Sequence, residues 1–214
     1  MNPTLAPRSV WICVNGIHAN PGDSDGWTDR AVTWLHLHTD TRAEKWEYAA
    51  SWLTRRLHQQ ARAEAIATMV RFYADQGFKI AFLAHSNGAD LFERVLKLIA
   101  PIKIEAAHLI APACKGETLE AALEVKQLGW LHLYGSPNDS AMKLAKLSQQ
   151  LVGWAGLGYG DLGGRVSDFA THAPRTTAYV DETETHSSWF QRGDSFERTM
   201  RLVARDIIQP SPVA

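Results

Sequence analysis

Short apolar runs of strand length alternate with longer stretches of helical periodicity along this 214-residue chain. That rhythm is the strongest constraint on its fold. Strands are predicted at Ser9–Asn15 (SVWICVN), Lys79–Ala84, Ile104–Ile110, Trp130–Tyr134 and Thr176–Val180, with a weaker one at Glu47–Ser51. Between them, helical spacing predicts Asp29–Leu37, Gln59–Gln76 (Ile66, Met69, Val70 and Tyr73 on one face), Asn87–Ala100, Thr118–Leu128 and Ser140–Leu151. A last helix is expected over Trp189–Ile208. Strands that alternate with helices imply a parallel sheet covered on both faces and joined by right-handed crossovers. The expected class is therefore α/β: a three-layer α/β/α sandwich around a mostly parallel sheet of about six strands.

The length fits one domain, expected to span 1–214, and neither a repeat nor a linker interrupts it. A net charge of −1 and the lack of charge blocks exclude the electrostatic signature of a nucleic-acid binder. No apolar run reaches the roughly 18 residues of a membrane span, and MNPTLAPRSV lacks the apolar core of a signal peptide. A cytoplasmic protein is the expectation. Cys13 and Cys114 are too few for a disulfide framework, and Cys13 sits in an apolar run as a buried free thiol would. Gly153–Gly164 (GWAGLGYGDLGG) falls in a connection of roughly two dozen residues, long for a loop. It is either a small lid over the active face or a glycine-rich packing turn.

In open parallel sheets, ligands bind at the carboxyl ends of the strands. The polar residues expected there are NGIHANPGDSDGW after the first strand, HSNG after Lys79–Ala84, GSPNDS after Trp130–Tyr134 and DETETHSSW after the last. They supply a serine, an aspartate and a histidine, in that chain order. Serine becomes a useful nucleophile only when a histidine takes its proton and a carboxylate orients that histidine.

AHSNG at 84–88 resembles the nucleophile elbow of the α/β-hydrolase superfamily, G-x-S-x-G, with Ala84 in place of the first glycine. The turn needs small side chains because strand and helix come close, and alanine meets that need. The resemblance covers nearly the whole chain and implies a small esterase- or lipase-like member without the first two strands or a large cap. It implies Ser86 as nucleophile, His186 as base and then acid, and Asp139 as the residue that orients His186. It also implies an oxyanion hole formed by the backbone N–H groups of Asn87 and Ile17. Asn15-Gly16-Ile17 resembles the His-Gly-x oxyanion loop of lipases. Asp161, Asp168 and Asp181 compete with Asp139, and His172 and His18 with His186. His85 is expected to pack at the elbow. His18, Trp27 and Trp189, with Trp154 nearby, are candidates to touch substrate, or else His18 is a surface residue and the tryptophans close the core. The implied partner is a small-molecule carboxylic ester or thioester, with amide as a remoter option and medium acyl chains favoured over acetate. No cofactor is expected.

Two rival readings stand beside this one. His36-Leu37-His38-Thr39-Asp40 spells the H-x-H-x-D of metallo-β-lactamase-like hydrolases, although Thr41 stands where another histidine belongs. The chain can also be a non-catalytic binding protein that keeps the fold. Oligomeric state is not legible.

Overall fold

The computed structural model describes residues 8–16, 26–48, 58–152, 160–191 and 193–208. Strand β1 (Ser9–Val14) shows how the sheet is made. Its alternate residues are all apolar: Val10, Ile12 and Val14 join one core, and Trp11 and Cys13 join the other. A strand apolar on both faces must be central, with helices above and below. It pairs in parallel with β2 (Arg42–Trp46) on one side and β3 (Lys79–His85) on the other. Then come β4 (Ile104–Ile110), β5 (Leu128–Gly135) and β6 (Thr176–Val180). The six strands are all parallel, in the order β2-β1-β3-β4-β5-β6.

The helices fall into two layers. The larger core is covered by α2 (Gln59–Asp75), α3 (Gly88–Ile99), α4 (Glu117–Glu124) and α6 (Val166–His172), through residues such as Val70, Phe92, Leu123 and Val166. The opposite face carries α1 (Trp27–His38) and α7 (Asp194–Ile208), through Ala31, Leu35, Met200 and Val203. Helix α5 (Ser140–Val152) starts at the carboxyl edge of β5, with Met142 packed on Ala113. Under α7 the sheet is lined with rings. His108 and His132 stack at 4.4 Å, and the Tyr134 hydroxyl is 2.9 Å from His108 Nδ1. Burial, with a smaller push from His132, holds His108 well below the ordinary histidine pKa. Both cysteines are buried free thiols, and burial pushes Cys13 up to about 12, so neither is poised as a nucleophile.

Several expectations need correction. The second strand is Arg42–Trp46, not Glu47–Ser51; residues 49–51 of that expectation lie outside the described residues. The long connection before β6 is not structureless, because a 3-10 turn at Leu162–Gly164 and then α6 occupy its described part. The last helix begins at Asp194, and Ser188–Phe190 form a separate 3-10 turn. Residues 153–159 of the glycine-rich segment, Trp154 among them, lie outside the described residues.

At the start of α3 two backbone segments cross without room for a side chain. A methyl group on Gly88 would lie 2.7 Å from the carbonyl oxygens of both Val14 and Asn15. Backbone cannot give way there as a flexible side chain can. Gly88→Ala is expected to lower unfolding free energy by about 1–3 kcal/mol in a denaturant titration. Gly164→Ala, whose methyl would meet only Met142 Cβ at 3.8 Å, is the control expected to stay within about 0.5 kcal/mol.

Candidate active site

The strand order turns at β1: the chain goes from β1 to one side for β2, then to the other for β3. Ligand sites in open sheets form where such a reversal opens a crevice at the carboxyl edge. Ser86 lies there, in the two-residue turn between β3 and α3. Its φ is +53°, the left-handed region that costs a non-glycine residue about 1–2 kcal/mol. The turn is tied to the end of β4 from both sides. Ser86 N–H donates to Ile110 O at 2.9 Å, and Ala113 N–H donates to Ser86 O at 3.0 Å. Gly16, just after β1, presses on the same turn, since a methyl there would lie 2.9 Å from Ser86 Cβ.

His186 is reached from the far end of the sheet, in the loop after β6. Ser86 Oγ–H donates to His186 Nε2 at 2.8 Å, and His186 Nδ1–H donates to Asp139 Oδ2 at 2.8 Å. Asp139, only 1% exposed, ends the loop after β5, and its Oδ1 accepts from Met142 N–H at 3.0 Å. Burial works against its charge. The His186 hydrogen bond, the charge of that ring and the N–H groups of Met142 and Ala141 outweigh it and hold the carboxyl below its ordinary range. The carboxylate thereby fixes the tautomer in which Nε2 faces the serine as an acceptor.

The competing residues sit elsewhere. Asp161 pairs with Arg165 at 3.1 Å, and Asp168 and His172 are exposed on α6. Asp181 binds Thr183 within the His186 loop and Arg198 on α7. Ile17 and His18 lie outside the described residues. Asn87 is wholly buried at the start of α3. Its side chain is gripped from two directions: it donates to the Tyr48 hydroxyl at 2.8 Å and accepts from Gln59 Nε2 at 3.3 Å. Trp27 begins α1 beside the elbow, edge-on to His85 and stacked on Phe190 at 4.0 Å. Trp189 does not line a cleft. It is 2% exposed and packs edge-on to Tyr134 in the core, because the 3-10 turn that carries it faces the sheet.

The metal motif does not assemble either. Among the described residues no three His, Cys, Asp or Glu side chains converge as a metal site. His36 Nε2 accepts from Ala43 N–H at 3.1 Å, and His38 Nδ1 donates to Trp34 O at 2.9 Å. Both rings thus serve to close α1 onto its own turn and β2.

Sequence reasoning missed the supports of the His186 loop. Glu184 is 2% exposed; its carboxylate binds Arg198 and Ser188, and its carbonyl accepts from Ser136 Oγ at 2.5 Å. Asn138 Nδ2 donates to Glu182 O at 2.6 Å, and His85 Nε2–H donates to His186 O at 2.8 Å. The only signal in the chain is an acidic residue two positions before the histidine, which pattern alone reads as a solvated turn.

No protein-family model matches the chain, and no curated protein matches it in sequence. Solved structures do match in shape. A protein of Bacillus cereus ATCC 10987 aligns over 95% of this chain at 12% identity and a TM-score of 0.59, although this chain spans only 61% of that one. A carboxylesterase from Mesorhizobium loti aligns over 96% of this chain and 90% of its own at 16% identity and a TM-score of 0.54. An alpha/beta hydrolase enzyme from a sediment metagenome of the Mar Chica lagoon aligns over 94% and 93% at 12% identity and a TM-score of 0.58. No helix among the described residues is long and apolar enough to cross a membrane. With its parallel six-stranded sheet, its two helical layers and these likenesses, the chain has the α/β-hydrolase fold.

Proposed function

We propose that this protein is a serine hydrolase that cleaves a carboxylic ester, or a thioester, through an acyl-enzyme. One observation carries the reading: the relay Ser86–His186–Asp139, closed by two hydrogen bonds of 2.8 Å at the carboxyl edge of the sheet. A carboxylesterase among the structures of the same shape adds support.

The steps follow from the geometry. Ser86 Oγ attacks the acyl carbon while its proton passes to His186 Nε2. The resulting imidazolium is stabilised by Asp139, which stays ionised. Negative charge collects on the former carbonyl oxygen. Asn87 N–H is one donor for it, with the α3 N-terminus behind it, and Ile17 N–H is assigned as the second. His186 returns its proton to the departing alcohol or thiol. Water then attacks the acyl carbon as the ring removes its proton, and the ring returns that proton to Ser86 Oγ as the acid leaves. Trp27 packs against His85 and Phe190 beside the elbow with 8% of its surface exposed, and an acyl chain longer than acetyl is assigned to that side.

The test is ester hydrolysis, with p-nitrophenyl butyrate against the acetate, by variants of the relay. Ser86→Ala and His186→Ala are each expected to lower kcat by about 10⁴-fold or more, and the double variant little further, because the residues act as a unit. Full activity in either removes that residue from the mechanism, and a steep preference for acetate removes the longer acyl chain.

The relay also has a stability signature. Asp139 has its folded pKa below the unfolded value, near 3.8. Its ionisation therefore stabilises the fold above that value, and the contribution is lost as pH falls through the lower folded one. Wild type is expected to exceed Asp139→Asn in stability at about pH 5, with the gap narrowing towards about pH 2. Parallel curves across that window, in denaturant titrations, would contradict the assignment.

A further inference from the structure

Two sets of ties hold the His186 loop, and they run to different parts of the site. Ser136 and Asn138 bind the carbonyls of Glu184 and Glu182. Both belong to the loop that carries Asp139, so these bonds set the distance between carboxylate and imidazole. Arg198 adds a tie from α7 through Glu184 and Asp181. None of them reaches the nucleophile. Among the described residues, the polar ties from the strand of Ser86 to that loop are the Ser86–His186 bond itself and the one beside it, from His85 Nε2–H to His186 O at 2.8 Å.

We propose that His85 is a positioning residue that sets the distance between Ser86 and the ring of His186, through the backbone carbonyl of His186. This rests on the reading of Ser86 and His186 as nucleophile and base. His85 and Ser86 are adjacent in the chain, and the turn after His85 is fixed to β4 by two backbone hydrogen bonds. The His85 ring is fixed in its turn. It meets Trp27 and Phe190 edge-on, at 6.2 and 5.6 Å, and those two stack on each other. On its other side stands Gly16, where a methyl would lie 3.3 Å from His85 Nδ1. A donor held this firmly, one residue from the nucleophile, holds the backbone of the base at the same height as the serine hydroxyl. The His85 and His186 rings lie 5.1 Å apart and tilted by 43°, which leaves the His186 edge turned towards Ser86 and Asp139.

The serine–histidine distance matters most when the serine proton moves. A misplacement of about 1 Å costs on the order of 10²-fold in rate. Loss of the His85 donor should therefore act on kcat and leave KM in place.

The experiment compares His85→Gln with His85→Met. The two side chains have similar length and flexibility, and only glutamine keeps an N–H donor. His85→Met is expected to lower kcat for p-nitrophenyl butyrate, and the rate of Ser86 labelling by a fluorophosphonate, by roughly 10- to 100-fold with KM unchanged. His85→Gln should recover most of that loss. In the His186→Ala background, His85→Met should cost nothing further. Wild-type kcat in a folded His85→Met, or equal losses in both variants, overturns the proposal. If Ser86→Ala and His186→Ala are inactive while His85→Met is normal, the hydrolase reading stands and only the role of His85 falls. If those two relay variants are themselves active, the hydrolase reading falls, and this one with it. Should His85→Met not fold, the wild type supplies the answer in ¹⁵N-histidine NMR. A His85 Nε2 proton protected from exchange supports the tie, and one that exchanges freely with water overturns it.

Discussion

Everything at the carboxyl edge depends on one unfavourable backbone conformation being held in place. Ser86 sits at positive φ, and nothing in a serine side chain favours that region. The two hydrogen bonds to Ile110 and Ala113 keep it there, and the glycine that follows lets α3 pass within contact of the β1 carbonyls. A cost of about 1–2 kcal/mol is thereby absorbed by the sheet rather than relieved by the turn. In return the hydroxyl stands clear of the strand, where a ring from the other end of the sheet can reach it.

The residues on either side of Ser86 then have separate tasks. Asn87 turns its carboxamide inward to Tyr48 and Gln59. Gln59 in turn donates to Asp90, which pairs with Arg94. This polar chain runs from α2 to α3 and fixes the backbone whose N–H is assigned to the oxyanion. His85 turns the other way, towards the loop of His186. A wholly buried amide is tolerable in such a place only with its hydrogen bonds made, so the chain specifies one arrangement rather than merely filling space.

Much of this is legible in the amino-acid sequence. The alternating pattern and the two-faced apolar strands give the parallel sheet, and chain order alone brings a serine, an aspartate and a histidine to strand ends. The departures have physical causes. Strand β2 is a short edge strand, RAEKW, with Ala43 its one buried residue, so it lacks the apolar run that marks a central strand. Helix α6 has seven residues and only Val166 fully buried, too little amphipathic signal to register after a glycine-rich stretch. Trp189 looks like the start of the last helix, and like a cleft aromatic, because an apolar residue before a helix does not reveal which way a 3-10 turn faces. The bond from His85 to His186 is out of reach altogether. Its acceptor is a backbone carbonyl 101 residues away, and a carbonyl leaves no trace in a sequence.

His186 hangs from an edge of the sheet. Strand β6 pairs only with β5, none of its five residues is fully buried, and Val180 at its end is half exposed. The serine turn, by contrast, lies between central strands whose side chains are almost wholly enclosed. Local opening follows burial, so amide protons of β6 and its loop exchange from a fluctuation much smaller than global unfolding. His186 can thus leave while Ser86 stays in position. On warming, the pairing of Ser86 with His186 is then lost by the fraying of one edge before the sheet as a whole melts.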